Sequence, residues 1–171
     1  MTGFDPDALL EVLHQHDVRY VLIGGLAAAL RGSATPTFDV DITPAAGAGN
    51  LARLSAALTD LDARIRVDGI PEGLPFSHDA ASLARMTMLN LVTRFGDLDV
   101  AFDTAGVGDY SQWEAEAASV TVLGVPVQVA SLKDIIRSKE AAGRDKDRLQ
   151  LPMLRALQQR QQRLDKPPDS V

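Results

Sequence analysis

The chain has 171 residues, 46% apolar and 23% charged, with no cysteine and a formal net charge of -6. That length suits one domain with a core of its own; the missing cysteines exclude a disulfide framework and a thiolate zinc site, and the acidic balance opposes broad nonspecific binding to a phosphate backbone. No apolar run approaches the ~20 residues that span a bilayer, and the N-terminus is acidic where a secretory signal would be basic, so the expectation is a soluble cytoplasmic protein with no membrane partner.

In chain order, Asp5 followed by Pro6 predicts a capped helix to about His16, with Leu9, Leu10 and Leu13 as its apolar stripe. His14 and His16 lie two apart and do not share a helix face, so they read as surface residues and not as a metal pair. RYVLIGG predicts a short strand that stops at Gly24-Gly25, and LAAALRG has helical composition. TFDVDIT is the next strand, with Phe38, Val40 and Ile42 facing the core and Asp39 and Asp41 the other side. Asn50 is placed to cap a helix over residues 51–60; ARIRVDG reads as a short strand, and the stretch from Pro71 to His78 as a loop.

LNLVTRFGDLDVAF predicts a hairpin turning near Phe95-Gly96, and VTVLGVPVQV a second one turning at Gly124. SLKDIIRSKEAA is a helix capped by Ser131, with Asp134 in place of the usual Glu of a capping box, and Gly143 ends it. A further helical region begins at DKDRLQLPML, which Pro152 is expected to kink or divide. The organisation expected is one domain over residues 1–165, with a closing helical segment at 131–165 and a flexible tail at 166–171.

The chemistry concentrates in two strands. Asp39 and Asp41 share one strand face, and in GDLDVAF Asp97 and Asp99 alternate with Leu98 and Val100, Asp99 being well inside the strand. Two carboxylates about 5 Å apart at an effective dielectric near 20 repel by about 3 kcal/mol, which a bound cation would reverse. The residues alone allow two readings: acids on a solvated edge strand that blocks aggregation, or oxygen ligands for one or two Mg²⁺ ions. The second gains from Gly24-Gly25 at a strand-to-helix junction. It gains also from Lys139, Arg144 and Lys146 around the Gly143 break, where basic groups could meet a triphosphate. GxxxxGK[ST] is absent, which excludes a P-loop.

IGGLAAALRGSATPTFDVDI resembles the signature of the nucleotidyltransferases of the DNA polymerase β superfamily: a Gly-Gly turn, a short helix, and a strand with Asp-x-Asp. VTRFGDLDVAF is similar to the strand that brings the third carboxylate, and SLKDIIRSKEAAGRDKDRLQLPML resembles the closing segment of the small AbiEii-like branch associated with toxin-antitoxin systems. The resemblance implies an α+β fold, a mixed β-sheet flanked by helices with a C-terminal helical segment. It implies catalytic, metal-binding roles for Asp39, Asp41 and Asp99, with Mg²⁺ or Mn²⁺ as cofactor and a nucleoside triphosphate as co-substrate. Gly24, Gly25, Ser33, Lys139, Arg144 and Lys146 would hold the nucleotide; Arg144, Lys146 and Asp147 would either steady it or lock the closing helix, the latter being favoured for Asp147 as an ion-pair partner of Arg144.

The implied reaction moves a nucleoside monophosphate to a hydroxyl of tRNA, a protein or a small molecule, with release of pyrophosphate. A catalytically weak module in a toxin-antitoxin pair is the alternative, and a homodimer or a cognate protein could complete acceptor recognition. The departure from the family pattern is in SATPT, where Thr35 stands in a stretch that carries an arginine in many relatives.

Overall fold

Asp5 starts the first helix: its Oδ1 accepts from the Ala8 backbone N-H at 3.0 Å, and Pro6 supplies the first residue of α1 (Pro6–Gln15). The computed structural model describes residues 3–166. Of the expected flexible tail at 166–171, all but Lys166 lies outside the described residues. After α1 come β1 (Tyr20–Ile23), α2 (Gly24–Leu30), β2 (Asp39–Pro44), α3 (Ala48–Asp60), β3 (Arg64–Val67), β4 (Ile70–Leu74) and α4 (Ala80–Leu83). β5 (Met88–Thr93), β6 (Gly96–Ala101), α5 (Tyr110–Glu114), β7 (Ala118–Val122), β8 (Val125–Val129), α6 (Leu132–Ala142) and α7 (Asp145–Leu164) complete the order.

All eight strands form one sheet in the order β4-β3-β5-β6-β2-β1-β8-β7. β2 pairs with β6, and β1 with β8, in parallel; the other neighbours are antiparallel. This is the mixed, helix-flanked α+β sheet that the sequence predicts. Period-two alternation sends Val40 and Ile42 of β2, Leu89 and Leu91 of β5, and Leu98 and Val100 of β6 into the core, where they join Leu9, Leu13, Leu54 and Leu58 of α1 and α3. β1, next to the centre of the sheet, is buried at every position. Trp113 on α5 is 1% exposed, and its indole N-H donates to Thr104 Oγ1 at 2.9 Å, which satisfies its polar end.

Five local expectations are corrected. Phe38 is no core residue: β2 begins at Asp39, and the Phe38 ring is 77% exposed. Asn50 does not cap α3, because that helix starts two residues earlier, after Gly47 in extended backbone. The Asn50 amide is buried and instead ties down the chain ahead of β1, accepting from Arg19 N at 2.7 Å and donating to Arg19 O at 2.9 Å and Ala45 O at 2.8 Å. Part of the Pro71–His78 stretch is strand β4, an edge position where the missing N-H of Pro71 faces no neighbour. Ser131 caps α6 by accepting from Asp134 N at 3.1 Å, but the Asp134 carboxylate turns to Arg137 and makes no reciprocal capping-box bond. Finally, of the kink or division expected at Pro152 the division does not occur, α7 being one helix from Asp145 to Leu164. Buried Leu151 and Leu154 pin it to the core on either side, which outweighs the one backbone bond that proline removes.

Candidate active site

Parallel pairing of β2 with β6 sets the acids side by side, Asp39 opposite Asp97 and Asp41 opposite Asp99. Carboxylate oxygens of Asp39, Asp41 and Asp99 all lie within 4.8 Å of one another. The backbone of the β1–α2 junction explains how they come so close. Gly24 has φ +68°, and a Cβ built there would lie 2.3 Å from Asp41 Oδ2; at Gly25 it would lie 2.8 Å from Thr37 Oγ1. Both glycines are therefore needed to let β2 and its approach press against the junction. Thr37 in turn donates to Asp39 Oδ1 at 3.1 Å.

The other wall is basic. α6 ends at Gly143 in the left-handed conformation, φ 61°, and the chain reverses into α7. Asp147, fully buried in the first turn of α7, accepts from Arg144 Nε at 2.7 Å and Nη2 at 3.3 Å and from Lys139 Nζ at 3.3 Å. Burial alone would raise the Asp147 pKa, but the Arg144 and Lys139 cations outweigh it and hold the group below its usual range. The helix hairpin is thus locked at its bend, with Lys139, Arg144 and Lys146 held toward the acids.

Between the walls is a cleft of about 320 Å³, at the small end of the range for ligand pockets. It collects all nine residues singled out in the sequence: Gly24, Gly25, Ser33, Asp39, Asp41, Asp99, Lys139, Arg144 and Lys146. Thr35 also lines it, as do Phe38 and Gln150. The histidines stand elsewhere: His16 Nε2 is 2.6 Å from Asp60 Oδ2, and His78 lies against Ser55 and the Phe76 ring. Arg94 stacks over Phe95 in its turn.

One residue of the site escaped the sequence reading. Arg66 on β3 reaches across β5 and pairs with both acids of β6, Nη1 to Asp97 Oδ2 at 2.8 Å and Nη2 to Asp99 Oδ1 at 2.8 Å. The only signal for it was strand alternation in ARIRV, which puts Arg64 and Arg66 on one face but cannot say which strand lies alongside.

Electrostatics follow from this layout. Burial first, then the neighbouring charges of Asp39 and Asp99, push the Asp41 pKa up to about 7, against the opposing pull of Lys139 and Lys146. Asp99 is also raised, chiefly by burial, with Arg66 opposing and Asp39 adding to the rise. Three clustered carboxylates with no histidine among them form a hard-oxygen donor set, which fits Mg²⁺ or Mn²⁺ and not a soft metal.

No family model matches the chain, and no curated protein does. Solved structures do. The fold matches that of the lincosamide antibiotic adenylyltransferase LnuA, solved with lincomycin bound, with a TM-score of 0.58 at 15% identity, over 92% of this chain and 99% of that one. It also matches TM1012 from Thermotoga maritima, described as a candidate nucleotidyltransferase, with a TM-score of 0.53 at 17% identity, over 85% and 87% of the two chains. At those identities the likeness speaks for architecture: the chain has the nucleotidyltransferase fold, a mixed sheet with a C-terminal helical segment.

Proposed function

We propose that the protein is a metal-dependent nucleotidyltransferase that moves a nucleoside monophosphate from a nucleoside triphosphate to a hydroxyl of a small molecule. The observation that carries this reading is the meeting, in one cleft, of three carboxylates within 4.8 Å of one another and the cations of Lys139, Arg144 and Lys146. Asp39, Asp41 and Asp99 would hold one or two Mg²⁺ ions, which when bound polarise phosphoryl oxygens and offset the charge of the triphosphate. Lys139, Arg144 and Lys146 bind the phosphates. Asp99, whose raised pKa suits proton acceptance, takes the proton of the acceptor hydroxyl. The hydroxyl oxygen forms a bond to the α-phosphorus as the bond to the bridging oxygen breaks, and pyrophosphate departs with that electron pair.

A small acceptor is favoured over tRNA by the size of the cleft and by the net charge of -6. It is supported by the likeness to a lincosamide adenylyltransferase over 92% of this chain and 99% of that one. A catalytically weak nucleotide-binding partner of toxin-antitoxin type is the second reading, favoured by Thr35, which lines the cleft and stands in the SATPT stretch where the family resemblance leads one to expect an arginine.

The test is incubation of the protein with each α-labelled nucleoside triphosphate, Mg²⁺ or Mn²⁺, and separate acceptor pools of lincosamides and aminoglycosides, tRNA, and cell protein. Label should move to the small-molecule pool and be lost in Asp39→Asn, with a kcat drop of about a hundred- to a thousandfold, the scale of losing transition-state charge stabilisation. Nucleotide binding without transfer to any pool would move the assignment to the second reading.

A further inference from the structure

Arg66 and Asp97 have no part in the reading above, yet they are built into the same face of the sheet. β5 separates β3 from β6. One position past the pair Ile65–Leu91, Arg66 stands opposite Asn90, and Asn90 stands opposite Asp99. The Arg66 side chain spans that row and ends in a fork, one nitrogen on each acid at 2.8 Å. Both contacts are at least half shielded: the Arg66 side chain is 33% exposed, Asp97 38% and Asp99 19%. The planar guanidinium reaches two acids at once, hydrogen-bonding Asp99 through Nη2 and meeting Asp97 as an ion pair through Nη1, and a lysine would not span both.

Asp97 is outside the trio that could share a metal ion, so its contribution is to hold Arg66. Asp99 is inside that trio, and its Oδ1 is already engaged by a cation of the chain itself.

We infer that Arg66 is a positioning residue for Asp99 that competes with a divalent cation for the same carboxylate. The inference rests on the metal-dependent reading of the cleft. Arg66 acts in two ways that pull apart experimentally. Its charge, a few ångströms from the trio, opposes the arrival of a second cation. Its hydrogen bond to Oδ1 fixes the Asp99 carboxylate. Removal of the charge tightens metal binding; removal of the fork alone slows transfer.

Mn²⁺ binding, followed by the loss of free-ion electron paramagnetic resonance signal without nucleotide, reads the first effect directly. Arg66→Gln should tighten Mn²⁺ about tenfold, the scale of one partly screened charge at this range, while Arg66→Lys stays within about threefold of the wild type because the charge remains. Asp97→Asn, which leaves Arg66 wholly to Asp99, should weaken Mn²⁺, and this variant serves should Arg66→Gln fail to fold. In both Arg66 variants kcat falls while the nucleotide KM holds within about threefold, since the phosphate contacts are on the opposite wall. Unchanged or weaker Mn²⁺ binding in folded Arg66→Gln, or unchanged binding in Asp97→Asn, overturns the inference alone. If the wild type shows no Mn²⁺ binding that Asp39→Asn removes, the metal reading falls and the inference with it.

Discussion

Asp41 shows what the cleft costs the fold. Its carboxylate is crowded by Asp39 and Asp99 and partly withdrawn from water, and its pKa rises to about 7. An acid with a folded pKa above its unfolded value binds more protons in the native state. Its protonated form therefore supports the fold below pH 4, and that support is lost as pH rises through about 7. In EDTA, Asp41→Asn should be more stable than the wild type by on the order of 2 kcal/mol at pH 8, with the gap closing toward pH 4.5. Urea unfolding at the two pH values measures this, and Mg²⁺ should raise the wild type far more than the variant. A variant less stable than the wild type at pH 8 would mean that Asp41 is a structural acid and not a strained one. Phe38, three residues away, shows the opposite case. Alternation alone assigns it to the core, but the strand starts after it, and an exposed ring at the cleft rim results.

Among the elements, the α6–α7 bend was the most legible. Ser131, Gly143 and the GRDKD run each carry a local signal, and each does what its chemistry suggests. Asp147 is the stronger test, because it is fully buried and receives two cations, one of them the nearly buried Lys139. Asp147→Ala should cost about 3 kcal/mol by chemical denaturation, since Lys139 loses its partner inside the protein. Arg144→Ala should cost less than about 1 kcal/mol, because Arg144 is 60% exposed, while weakening nucleotide binding. Equal losses from the two would contradict the lock at the bend. What stayed illegible is of another kind. Asn50 depends on where distant chain passes, and Arg66 on the order β3-β5-β6, which departs from chain order. Local propensity carries no such information.

The whole molecule is electrically lopsided. Residues 1–130 hold 7 Lys or Arg against 17 Asp or Glu, and residues 131–171 hold 10 against 6. The fold turns that sequence asymmetry into a spatial one at the cleft, by laying the β2–β6 acids against the basic bend of α6 and α7. An anionic ligand is consequently drawn to one wall and repelled by the other unless cations intervene, so its affinity depends on both salt and divalent ions. Lys146 isolates that effect, because among the described residues it forms no ion pair, in contrast to Lys139 and Arg144. Lys146→Ala should leave stability within about 0.5 kcal/mol of the wild type, as for a surface change. Its affinity for a fluorescent ATP analogue in Mg²⁺ should drop by about three- to tenfold at low ionic strength, and the gap should narrow as KCl rises from 50 to 500 mM, where the screening length falls from about 14 to about 4 Å. Fluorescence anisotropy across that salt series measures both. A gap that persists at high salt would place Lys146 in a short-range contact, and no gap at all would remove it from the triphosphate wall.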